Sequence, residues 1–187
     1  MLSGKDGSLI NPVLENQYDV IYGSWPNSYD EVVLVLDENN ELDDLTLYAL
    51  GLESKESIDK IADAAINGSE LESNNKKWSY EEICDMTFKM ILPPDFYQKN
   101  KDGTYTDLSA SDAGLTFLYD SDKPIELKVS GIIRPNEDTV SSMMTGSIGY
   151  TSALTEYAIA RAAESQIVKD QLVHRGHYVL ILIGKPL

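Results

Sequence analysis

Glu31-Val32-Val33-Leu34-Val35-Leu36 is a short run of aliphatic, mostly β-branched residues, closed in by polar clusters on both sides. It is too short for a core helix and lacks the alternation of a half-exposed strand. It therefore predicts a strand buried on both faces. Just upstream, Gly23-Ser24-Trp25-Pro26-Asn27-Ser28 predicts a turn in which Pro26 holds Trp25 extended. Just downstream, Asp37 to Glu41 predict a polar turn. Asp43-Asp44 then open a short helix through Leu50, with acids at the positive end of its dipole, and Gly51 is expected just past its end.

Farther out the pattern mixes elements. Ile58, Ile61, Ala62, Ala65 and Ile66 recur at helical spacing and predict a helix over Glu56 to Ile66, stopped by Asn67-Gly68. Ser79-Tyr80-Glu81-Glu82 fits a capping box and starts another short helix. Thr87 to Leu92 predict a strand ended by Pro93-Pro94. Lys101-Asp102-Gly103 between two Tyr/Thr-bearing segments predicts a hairpin. Asp112 to Tyr119 predict a helix. Ile125 to Ile133 alternate and then turn wholly apolar, as in a strand with one end wet and the other in the core. Asn136 to Gly146 predict a loop and Ser147 to Tyr150 a short strand. Ala153 to Leu172 predict one long helix, and Tyr178 to Ile183 a last strand. The expected fold class is α+β: a mixed or antiparallel sheet, several short helices and one long C-terminal helix. Residues 1–17 are weakly patterned and are expected to form an N-terminal arm. Residues 18–187 are expected to form a single domain, with room for two lobes.

The chain has 187 residues, enough to bury a core without disulfides, and 42% apolar and 25% charged residues, a globular composition. Fifteen basic and 31 acidic residues give a net charge of −16. Such a surface repels phosphate backbones and anionic headgroups, which argues against nucleic-acid binding and peripheral membrane binding. Residues 1–60 hold 3 basic and 13 acidic residues, so a cationic partner is expected to meet the N-terminal third. The attraction should weaken with salt. Cys84 stands alone, which excludes an intrachain disulfide and a multi-cysteine metal site. No apolar run reaches the roughly 18 residues of a membrane span, and the first residues lack the apolar core of a signal peptide.

The chemistry-bearing residues do not assemble into a motif. His174-Arg175-Gly176-His177 offers two imidazoles, but zinc needs three or four ligands, and a polar loop is the plainer reading. Asp37 to Asp44 imitate a calcium loop. However, Leu42 stands where that loop needs glycine and Tyr48 where it needs a bidentate glutamate. Gly146-Ser147-Ile148-Gly149 is one residue short of a nucleophile elbow. Acidic neighbours should raise the Cys84 thiol pKa, so it reads as a small buried hydrophobe. No glycine-rich phosphate loop is present. Neither a cofactor nor a metal is expected, and no catalytic residue is assigned. Met143 and Met144, in a Ser/Thr loop, either tuck over the end of the sheet or offer adaptable contacts. Together with Tyr150 they are the expected partner-binding residues.

Three stretches, taken in order, carry a resemblance. The first runs from Tyr18 through Gly23-Ser24-Trp25-Pro26 to Val32-Val33-Leu34 and Asp37. The second is Lys128-Val129-Ser130-Gly131-Ile132-Ile133-Arg134-Pro135. The third is Ser147-Ile148-Gly149-Tyr150-Thr151-Ser152-Ala153-Leu154-Thr155. Over residues 18–160 the chain resembles the extracytoplasmic domain of MacB/FtsX-type ABC transporter permeases, in the form found in Gram-positive gut bacteria. The resemblance implies a non-catalytic domain between the first two transmembrane helices, on the outer face of the cell membrane. The chain departs from the family in having less before the Gly-x-Trp-Pro segment, so part of a membrane-proximal lobe is expected to be missing. The rest of the permease, a cytoplasmic ATPase and a second permease copy would be its partners, with a peptide or cell-envelope protein outside. Its work would be to couple ATP-driven motion to transport or signalling. Two rival readings are a stand-alone secreted or surface-attached binding module and, weakest, a small hydrolase using paired carboxylates.

Overall fold

The computed structural model describes residues 1–68, 76–139, 142–144 and 146–173. In chain order the elements begin with α1 (Pro12–Gln17), β1 (Tyr18–Gly23), β2 (Glu31–Val35), α2 (Asp44–Ala49), α3 (Lys55–Asn67) and α4 (Tyr80–Cys84). Next come β3 (Thr87–Met90), β4 (Tyr97–Lys99), β5 (Tyr105–Asp107) and α5 (Asp112–Tyr119). The described chain ends with β6 (Ile125–Pro135), β7 (Ser147–Tyr150), α6 (Ser152–Glu164) and α7 (Gln166–Val173). The fold is α+β, with helices and a mixed sheet. Contacts divide it into two compact units, each made of two chain segments. The first is Met1–Phe88 with Lys128–Ser152. The second is Lys89–Leu127 with the residues from Ala153 on.

The sheet order is β1-β6-β2-β7, with β3 also on β6. β6 lies antiparallel to β1 and parallel to β2, and β2 lies antiparallel to β7. β2 thus has a partner on each edge, and Val32, Val33, Leu34 and Val35 are all buried. This is the environment that a continuous aliphatic run requires. β6 follows its own pattern: Glu126 and Lys128 are exposed, whereas Gly131, Ile132 and Ile133 are buried. On one face Val33, Val35 and Ile133 pack with Ile10, Leu14 and Tyr18. Residues 1–17 therefore supply part of this core, through α1 and the residue before its Asn11 cap.

Local signals set the helix ends. The Asp43 carboxylate accepts from the Thr46 N–H and caps α2. Ser54 caps α3, which stops at Gly68 in the left-handed region, φ 66°. Ser79 and Glu82 complete a reciprocal capping box on α4. The expected long C-terminal helix is not continuous. It is α6 and α7, broken at Ser165. There the backbone N–H turns to the Ala162 carbonyl, and the Ser165 hydroxyl donates to the same oxygen at 2.7 Å. A serine hydroxyl that takes a carbonyl of the preceding turn weakens a helix and often bends it, without disturbing its apolar spacing. Tyr178 to Ile183 and His174 to His177 lie outside the described residues.

In the second unit β4 and β5 form an antiparallel hairpin around Lys101-Asp102-Gly103. Asp170 on α7 ties the helix to the hairpin. Its carboxylate accepts from the Lys99 ammonium, the Tyr105 hydroxyl at 2.7 Å and the Gln166 amide at 2.6 Å. These donors, Lys99 foremost, hold the Asp170 carboxyl well below the usual range. Burial first, and then the bond to Asp170, push the Tyr105 phenol up to about 12. The neutral phenol is the form that donates. Its stabilisation is complete below its ordinary value of about 10 and is lost as pH rises towards about 12. Tyr105→Phe should therefore cost about 1 kcal/mol near neutrality, and the gap to wild type should close in melts run at increasingly alkaline pH. A gap that persists there would mean that the hydroxyl is not what stabilises this contact.

Candidate functional site

The loop after β6 begins as a stapled segment. The Asn136 N–H donates to the Gln17 carbonyl at 2.9 Å, and the Thr139 hydroxyl donates to the same carbonyl at 3.0 Å. Farther along, the buried Tyr18 ring reaches the loop with its hydroxyl. That hydroxyl accepts from the Met144 N–H at 2.7 Å and donates to the Met144 carbonyl at 2.9 Å. Met144 is consequently drawn in, half-buried against the Tyr18, Val33 and Ile133 core. Met143, next to it, stays 51% exposed.

Tyr150 ends β7 and is 49% exposed. Gly149 and Ser147 pair with Val33 and Val35, so they share the face that Met144 packs against. Ile148 and Tyr150 pair with Leu34 and Val32 and point to the opposite face. The structure therefore does not gather Met143, Met144 and Tyr150 into one patch. Met144 belongs to the core side, and Tyr150 stands on the far face beside Ile148.

The face of Ile148 opens onto a groove of about 600 Å³. Its lining is Asp43, Asp44, Leu45, Thr46 and Ala49 from α2 and its cap, together with Ile58, Ile61 and Ala62 from α3. Buried Thr46 fixes the α2 wall against β7: its hydroxyl donates to the Gly146 carbonyl at 2.7 Å. The α3 wall is set by the turn between the helices, where the Leu52 and Glu53 N–H groups both return to the Leu47 carbonyl. Buried Glu53 pairs with the Lys76 ammonium at 2.9 Å, which leads the effects that hold its carboxyl below the ordinary range. Sequence reasoning missed this groove. Its signal was the apolar stripe of α3, which reads as a core face. In the structure Ile58 and Ile61 are only half-buried and Ala62 is exposed, while Leu45 on α2 is 68% exposed.

The calcium-like stretch is a self-satisfied turn. The Asp37 carboxylate accepts from the Asn39 and Glu41 N–H groups, each at 2.8 Å. Burial first, then the Asp85 charge, push the Cys84 thiol up, which makes it a poor nucleophile. Among the described residues no group of three or more His, Cys, Asp or Glu could hold a metal ion, and no helix is long and apolar enough to cross a membrane. Comparison of this chain with protein-family models, with curated proteins and with solved structures yields no match.

Proposed function

We propose that this chain is the extracytoplasmic domain of a MacB/FtsX-type ABC permease, a non-catalytic module that binds outside the membrane and couples ATP-driven motion to transport or signalling. One observation carries the reading. The three separate stretches that bear the resemblance supply β1, β2, β6 and β7, the four strands of one continuous sheet path. Their motif glycines also meet: Gly23 of the Gly-x-Trp-Pro segment pairs in register with Gly131 of the second stretch. The remaining permease, its cytoplasmic ATPase and a second permease copy are the proposed partners, at the outer face of the cell membrane.

The test is the parent gene on both sides of this segment. The proposal expects one apolar stretch of roughly 20 residues before Met1 and three more after Leu187. A native start at Met1 with a stop after Leu187 would leave a stand-alone binding module instead. In the intact permease, Met143→Ala with Met144→Ala is expected to weaken partner engagement through the exposed Met143 side chain. Unchanged transport and partner binding would remove the loop from the contact surface.

A further inference from the structure

We infer that the groove between α2, α3 and Ile148 seats a basic amphipathic helix of a partner polypeptide. Three observations converge. The first is an apolar helix face that the described residues leave uncovered. Ile58, Ile61 and Ala62 turn one side of α3 into the groove, and Leu45 and Ala49 supply the opposite wall. Among the described residues this face stays half-open, and Leu45 beside it is 68% exposed.

The second is shape. Two short helices flank a floor provided by a strand side chain, Ile148. Side-chain ridges of a third helix pack into such a trough, and helix-in-groove recognition anchors an apolar stripe at helical spacing.

The third is charge. Residues 37–68 carry nine acids against Lys55 and Lys60. Asp43 and Asp44 line the groove itself, and Glu56, Asp59 and Asp63 stand exposed along α3. A second copy of this chain, at −16, would bring the same sign to the same place. Lysines or arginines flanking an apolar stripe would instead be attracted and aligned. This inference gives a partner to the binding half of the proposed role and rests on that reading only there. A failed titration would remove the groove while leaving the flanking-gene result untouched, and the converse also holds.

The test uses the full chain and a labelled synthetic Leu/Lys peptide of about 18 residues with leucines at helical spacing. Its Leu/Glu counterpart is the control, and fluorescence anisotropy is read at about 50 mM and about 500 mM salt. The Leu/Lys peptide is expected to bind in the micromolar range at low salt and about tenfold more weakly at high salt, and the Leu/Glu peptide not at all. Leu45→Ser, at an exposed position that the fold tolerates, should weaken binding by about tenfold at both salts. Asp44→Asn should reduce the salt dependence. Absence of binding at low salt would overturn the inference. So would binding that Leu45→Ser leaves unchanged, because that is diffuse attraction to an acidic surface. A dimer in sedimentation that Leu45→Ser dissolves would also overturn it, since a second copy would then cover the groove.

Discussion

Gly131→Ala is expected to destabilise the first unit by about 3 kcal/mol or more. Gly131 sits inside β6, where β1 and its following turn come close. A Cβ there would lie 2.4 Å from the Ser24 carbonyl oxygen, 2.8 Å from the Ser24 nitrogen and 2.9 Å from the Tyr22 carbonyl oxygen. All three are backbone atoms, so no side chain can swing aside. Opposite it, Gly23 has φ +72°, and its own Cβ would meet the Ser130 carbonyl oxygen at 2.3 Å. A glycine inside a strand marks such a close backbone approach. To admit one methyl group, the backbone of β1 and of the turn at Ser24 must shift away from β6, which strains the pairing next to buried Ile132 and Ile133. Both tryptophans, Trp25 and Trp78, belong to the first unit, and Trp25 packs against that core. Tryptophan fluorescence during urea unfolding therefore reads this unit. Lys128→Ala, exposed on the same strand, should shift stability by less than about 0.5 kcal/mol. A Gly131→Ala midpoint equal to that control would show that the strands have slack here.

Tyr18→Ala should cost about 3–5 kcal/mol, and Tyr18→Phe about 1–3 kcal/mol. The ring is 2% exposed and packs with Leu14, Val33, Val35 and Ile133, so truncation leaves a cavity in the core. The hydroxyl is a separate contribution. It both donates to and accepts from the Met144 backbone, and its loss leaves a carbonyl and an N–H without their bonds. The two variants thus separate packing from loop anchoring. Phe should keep the tryptophan signal and speed hydrogen exchange at the Met144 amide. Ala should move the urea midpoint of the first unit further than Phe does. If Tyr18→Phe left exchange at Met144 unchanged, the loop would be held by Asn136 and Thr139 instead.

Much of the fold was legible because its causes are local. The run Val32 to Leu36 reports a two-faced strand wherever its partners come from. Ser79 with Glu82, and Asn67-Gly68, mark helix ends through bonds made within a few residues. β1 was not legible. Val20 and Tyr22 are each 40% exposed, and the strand exists because it pairs with β6 across more than a hundred residues of sequence. For α1 a signal was present, Asn11 as cap and Pro12 in the first turn, on a helix of only 6 residues. The break at Ser165 escaped because periodicity records side-chain spacing and says nothing of a hydroxyl that takes a carbonyl. The site was legible in charge and illegible in place. Periodicity shows that one face of α3 is apolar, but not that the described residues leave it half-open. The pair Met143-Met144 splits for the same kind of reason: a tyrosine 126 positions away draws one of them inward.

The interleaved path of the two units bears on synthesis. β2 finds both of its edges covered only after β6 and β7 emerge, on the order of 100 residues later, or about ten seconds at ribosomal speed. During that interval Val32 to Leu36 is an aliphatic strand with bare edges, the kind of segment that pairs with its copies on neighbouring nascent chains. Yield of folded protein should therefore depend on translation rate and on holdase chaperones more than on the final stability of the sheet.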